Sequence, residues 1–167
     1  MRVERRTMFL SAFAALLLCA GCAPTFSREA LDRVDPDAAF RDVQRDPDHY
    51  RGKWLMLGGV IVDIRNTAQG TFIEVLQRPV DRRGKPEETD DTEGRFIMKS
   101  GQYLDPAVYH AGKRISLIGE VVGQEVRPLG EMQYRYPVVA ARQILLWEPR
   151  TGPQISVGVG VGVYHGF

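Results

Sequence analysis

Histidine, carboxylate and aromatic side chains are the groups in this chain that could carry chemistry, and their spacing decides which chemistry. The histidines are His49, His110 and His165. A zinc site needs several ligands at short set spacings such as HxxxH, and no such pair occurs. His49 and His110 each stand shortly before a Gly-Lys pair and read as surface turn residues. Glu87, Glu88, Asp90, Asp91 and Glu93 crowd one stretch, Asp81 to Gly94. Calcium takes about 6–8 oxygens in a defined loop pattern, which is missing here. With Arg82, Arg83 and Lys85 beside them, these acids read as a solvated charged loop. Asp63, Glu74 and Glu120 fall in strand-like runs. A glycosidase pair would have to stand about 5–9.5 Å apart, and nothing in the sequence brings these three together. No nucleophile elbow, Walker loop or dinucleotide fingerprint occurs. No catalytic residue, metal site or cofactor is therefore assigned. Phe72, Phe96, Tyr134 and Tyr136 also lie in strand-like runs. Exposed together on one face they would stack sugars or bases, although packing in a core is the commoner fate of such rings.

Cys22 is the residue with a specific reading. Met1 to Thr7 holds Arg2, Arg5 and Arg6 against Glu4, and Met8 to Leu18 is an 11-residue run without charge. A basic start and a short apolar stretch make a secretory signal, because crossing a membrane takes about 20 apolar residues. Leu18-Cys19-Ala20-Gly21-Cys22 resembles a bacterial lipobox, with Cys19 where that motif usually has Leu. The resemblance implies cleavage before Cys22 and acylation of its thiol. Single acyl chains anchor only marginally, so the several chains of such lipoproteins are what give a firm hold. Ala23 stands where an inner-membrane retention signal would place Asp, which implies the outer membrane, facing the periplasm. The mature chain would have 146 residues, a net charge of −1 and no free thiol. Acylation at Cys22 would exclude thiol catalysis and thiolate zinc sites.

The elements that must position these residues are mostly strands. Trp54–Ile64, Thr71–Gln77, Arg95–Met98, Ile115–Val122 and Tyr134–Leu146 are β-branched or apolar runs bounded by Gly, Pro, Asp and Asn. Gly58, Gly59 and Gly119 inside them predict bends or bulges, and Pro137 an edge or bulge. Five strands and few helices predict a mainly β fold, a small five-stranded OB-like barrel. A helix is expected from an Asp35 cap with Pro36 in its first turn, packing through Ala39, Phe40 and Val43 and stopped by Pro47. Asp46-Pro47…Tyr50-x-Gly52-Lys53 is echoed by Asp105-Pro106…Tyr109…Gly112-Lys113. Each echo precedes a long apolar run, so one local turn is expected to be used twice. The domain plan is residues 1–21 signal, 22–34 lipid tether, 35–148 barrel and 149–167 a Val/Gly-rich tail.

Taken in order, the motifs resemble one family. Tyr50-x-Gly52-Lys53 is followed by Leu57-Gly58-Gly59-Val60-Ile61, then Gly70-Thr71-x-Ile73-Glu74-Val75-Leu76 and Pro79-Val80-Asp81. Gly94-Arg95-Phe96, Leu104-Asp105-Pro106, Gly112-Lys113-Arg114 and Gly119-Glu120-Val121 come next. Gly130-Glu131, Tyr134-x-Tyr136-Pro137-Val138-Val139 and Leu146-Trp147 close the set. This order is similar to that of the Slp outer-membrane lipoproteins, the starvation- or stress-inducible lipoproteins of Gram-negative bacteria. The resemblance implies an outer-membrane lipoprotein held by lipid on Cys22 and linked to stress or stationary phase, with no catalytic residues to carry over. The expected partners are membrane lipid and an envelope protein or glycan. Nucleic acid is not expected, because the charge is balanced at 22 basic against 21 acidic residues. The principal reading is a structural or binding protein. Its rivals are a carbohydrate- or peptidoglycan-binding module using barrel-face aromatics, and a hydrolase using converging carboxylates or a histidine pair.

Overall fold

The computed structural model describes residues 26–148. Cys22, the signal segment, His165 and the Val/Gly tail lie outside them. Two short helices, α1 (Arg28–Leu31) and α2 (Phe40–Arg45), precede five strands. These are β1 (Trp54–Thr67), β2 (Gly70–Arg78), β3 (Arg95–Ser100), β4 (Arg114–Leu129) and β5 (Met132–Trp147). They close a barrel in the order β1-β2-β3-β5-β4. Every pairing is antiparallel except β3 with β5. The expected mainly β, five-stranded closed barrel is the observed architecture.

Alternation within the strands builds the core. Ile73 and Val75 of β2, Phe96 and Met98 of β3, and Ile115 and Leu117 of β4 point into the barrel and are fully buried. Phe40 and Val43, one turn apart on α2, close this core, with the Phe40 ring edge-on to Phe96. The α2 helix begins four residues later than the sequence indicates. Its N-cap is Ala39, which offers no side-chain bond. Asp35 is spent elsewhere: its carboxylate accepts from the Asp37 amide and pairs with Lys53 at 2.8 Å. The end falls as expected, at Arg45 with Asp46 as C-cap, because a residue before Pro avoids the helical region.

The sequence echo has a geometric reason. In the antiparallel β1–β4 pair, Leu57 faces Leu117. Gly52, at φ +80°, turns the chain into β1, and its N–H donates to the Val121 carbonyl while the Val121 N–H donates to Lys53. Gly112, at φ +87°, turns the chain into β4, and its N–H donates to Ile61 while the Ile61 N–H donates to Lys113. The two Asp-Pro turns therefore close the two ends of one ladder in the same way. Tyr50 and Tyr109 both pack back on the core from these turns.

The irregularity expected at Gly119 appears, whereas β1 keeps its register through Gly58 and Gly59 and slips instead at Ile61/Asp63. The β4 ladder slips at Ile118/Gly119, where a Cβ on Gly119 would strike the Ala140 carbonyl, and again at Val121/Gly123. A Cβ on Gly59 would strike the Leu76 carbonyl, and one on Gly58 would meet Val80 and Pro86. Pro137 pairs with Gln124 on β4 just before β5 takes up β3 at Val138. There its missing N–H interrupts no β3 bond. Two other features differ from expectation. Strands β4 and β5 run on as one hairpin through residues 123–133, turning at Gly130. And residues 26–34, within the stretch expected as a lipid tether, are packed. Phe26 and Ala30 are buried with Ile118, against Val34, Trp54, Met56 and Leu145.

Candidate functional site

The residues singled out for chemistry are mostly bound to one another. Phe96 is a core residue and fully buried. Its neighbour Ile97 faces the opposite way and forms a second cluster outside the main core with Tyr136 and Val138, against Phe72 and Tyr134. Tyr136 is only 1% exposed. The Tyr134 hydroxyl accepts from the Arg95 amide, and its ring lies edge-on to Tyr136 at 4.7 Å. Arg65 and Lys99 both stand over the Phe72 ring, at 5.6 and 5.7 Å. The four rings thus do not make an open stacking platform. Phe72, Tyr134 and Tyr136 belong to one packed patch, with cations over the Phe72 ring, and Phe96 lies apart in the main core.

Two of the three strand carboxylates, Glu74 and Glu120, are committed too. Asp63 faces Glu74 directly in the β1–β2 ladder, a juxtaposition the sequence alone does not show. Glu74 is nonetheless engaged on its other side. Arg95 donates to it at 2.7 Å, and the Tyr136 hydroxyl donates at 3.3 Å. Glu74 holds the Arg95 guanidinium protonated beyond its ordinary value, with burial opposing. Burial, then the Glu74 charge, pushes the Tyr136 hydroxyl above its ordinary value of 10.0. Glu120 pairs with Arg142 at 3.2 Å.

The acidic loop is tied down rather than gathered. Glu88 meets Arg114, Asp90 meets Arg78 and Glu93 meets Arg41. Asp81 accepts the amides of Arg83 and Lys85, which makes a tight turn at Gly84. No group of three or more His, Cys, Asp or Glu residues with metal-holding geometry occurs among the described residues. His49 lies edge-on to Tyr50, and the His110 ring contacts the Ala111 carbonyl.

A groove of about 610 Å³ lies between the α1–α2 connection, β1 and the loop after β2. Leu55, Leu57 and Phe40 form its floor, and Asp35, Arg41, Arg78 and Glu93 its polar rim. Lys53, with the Asp37 amide, holds the Asp35 carboxyl below its ordinary value of 3.8. The rim therefore stays a mixture of both charges. The sequence did not reveal the groove, because its walls come from segments far apart in the chain.

Comparison with known proteins gives this fold a family. The model described as "Outer membrane lipoprotein Slp family" matches residues 19–161. The outer membrane protein Slp of Escherichia coli (strain K12) is 22% identical over 150 residues, covering 90% of this chain and 78% of the relative. An uncharacterized protein of Haemophilus influenzae (strain ATCC 51907 / DSM 11121 / KW20 / Rd) is 33% identical over 110 residues, covering 65% of this chain and 60% of that protein. The ordered motifs of the sequence and the closed barrel agree with that match, and the chain belongs to the Slp family of outer membrane lipoproteins.

Proposed function

We propose that the protein is held in the outer membrane by lipid on Cys22, faces the periplasm, and serves the envelope as a structural or partner-binding component under stress or stationary phase, without catalysis. The observation that supports this reading is how the polar groups of the barrel are used. Glu74, Arg95, Tyr136, Glu120 and Arg142 hold one another, and the four strand aromatics are packed or capped. The groove beside α2 remains as an open, mixed-charge surface for a partner. A glycan module working through barrel-face rings has no open array to use among the described residues, so the scaffold reading is preferred.

Affinity capture of the lipidated protein from chemically cross-linked cells tests it, with proteins and glycans both identified. An envelope protein recovered reproducibly, more in stationary than in growing cells, and lost in Arg41→Glu, supports the reading and places the partner on the groove. Recovery of glycan alone, unaffected by Arg41→Glu, would count against it.

A further inference from the structure

The segment nearest the proposed anchor is part of the barrel wall, which constrains how the barrel can stand on its membrane. Three residues, Ala23, Pro24 and Thr25, separate Cys22 from Phe26. Four Cα steps reach at most about 14 Å. Phe26 is 2% exposed, packed on the outer face of β1, β4 and β5 with Ile118, Met56 and Leu145. Ser27 fixes the next residue, its amide and hydroxyl both bonded to the Gln143 side chain at 3.0 and 2.6 Å. Val34 then bridges to Trp54. An acyl chain on Cys22 would therefore hold one side of the barrel close to the bilayer, with no long leash between them.

That side has the chemistry of a membrane interface. Trp54 is half-buried between two guanidinium groups, Arg33 at 5.0 Å and Arg142 at 5.8 Å from its ring. Exposed Arg28 lies on α1, and the Arg82-Arg83 turn reaches this side because Gly84 lies against the Phe26 ring. Arg33 and Arg142 are paired to Glu29 and Glu120, and Asp32 is exposed nearby. Arg28, Arg82 and Arg83 make no ion pair among the described residues. Tryptophan flanked by arginine is favoured at headgroup depth, and such cations are drawn to anionic lipid.

We infer that this face, formed by α1, Trp54, Arg142 and the Arg82-Arg83 turn, lies against the membrane with its free arginines on lipid phosphate groups. The inference rests on the proposed acylation of Cys22. The β4–β5 hairpin tip, eleven residues from Gln143 and about 35 Å along the strand, then points into the aqueous space.

The test uses the acylated full-length mature protein in vesicles of phosphatidylethanolamine and phosphatidylglycerol that carry a headgroup-nitroxide lipid. One fluorophore is attached at Glu29→Cys or at Met132→Cys, residues exposed on α1 and at the hairpin tip. The probe at 29 should lose its fluorescence, and the probe at 132 should keep its nitroxide-free intensity. Equal quenching at both sites would overturn the orientation. The Arg28→Glu/Arg83→Glu double variant should recover fluorescence at 29; unchanged quenching would overturn the role of the arginines. Protein that fails to float with the vesicles, or lacks the lipid mass on its N-terminal peptide, signals failure of the anchoring reading instead, and is seen before any fluorescence is measured.

Discussion

Gly52→Ala and Gly112→Ala test the claim that two matching turns close the two ends of the β1–β4 ladder. At both positions an added Cβ meets nothing within 4 Å, while φ is +80° and +87°. The cost is therefore backbone strain alone, about 1–2 kcal/mol for an L-residue in the left-handed region. Removing glycine also narrows the unfolded ensemble and returns about 0.4–1 kcal/mol. Each variant should lose about 1 kcal/mol net. The two turns stand eight residues apart along β1, about 26 Å, so their effects should add to about 2 kcal/mol. Urea titration of the unlipidated Cys22→Ser mature chain, followed by tryptophan fluorescence, reads this directly. With a slope of about 2 kcal/mol per molar, each single variant should shift the midpoint down by about 0.5 M without changing the slope. Gly59→Ala is the contrasting control. Its φ is not positive, but its Cβ would collide with the Leu76 carbonyl, so β2 must move and the loss should exceed either turn variant. Wild-type midpoints for both turn variants, or losses that differ widely between them, would refute the shared-turn argument.

Other predictions concern the groups around the strands. Thr71 is fully buried and its hydroxyl accepts the Leu104 amide at 2.9 Å, so Thr71→Val strands that N–H and should cost about 1–3 kcal/mol, read as a lower urea midpoint. The Tyr136 hydroxyl is held protonated by burial, so its contribution to stability is fully present below the ordinary value of 10.0 and is lost as pH rises through the higher folded value. Tyr136→Phe should therefore flatten the loss of melting temperature above pH 10, and an unchanged alkaline limb would argue against the buried Glu74–Tyr136 contact. Strand β5 ends at Trp147, so truncation after Arg150 should leave the melting temperature in place, and a large fall would make the Val/Gly segment part of the fold.

Much of the barrel could be read from the chain because its strands announce themselves in alternation. Phe72, Glu74 and Leu76 alternate against Ile73 and Val75, and the structure sorts them to opposite faces. The β4–β5 extension was hidden because Gly123, Gln124, Glu125, Arg127 and Pro128 look like a loop. Their pairing depends on the partner strand rather than on apolar content. Asp35 carried a good capping side chain, but Lys53 and the Asp37 amide compete for it, and tertiary pairing overrode local propensity. The packing of residues 26–34 did leave a signal. Phe26, Ala30 and Val34 recur every four residues, a spacing that one turn of helix and a following bridge place on the same side. The groove stayed invisible, since Phe40, Leu55 and Glu93 meet only once the loop after β2 folds across β1.

Mass spectrometry of the N-terminal peptide of protein purified from outer membranes tests the proposed lipid on Cys22. Met1 to Gly21 should be absent, and Cys22 should be the first residue and carry acyl mass. Cys22→Ser should accumulate as an unprocessed precursor without palmitate label. An unmodified Cys22 in the membrane-bound protein, or normal processing and labelling of Cys22→Ser, would contradict the proposal.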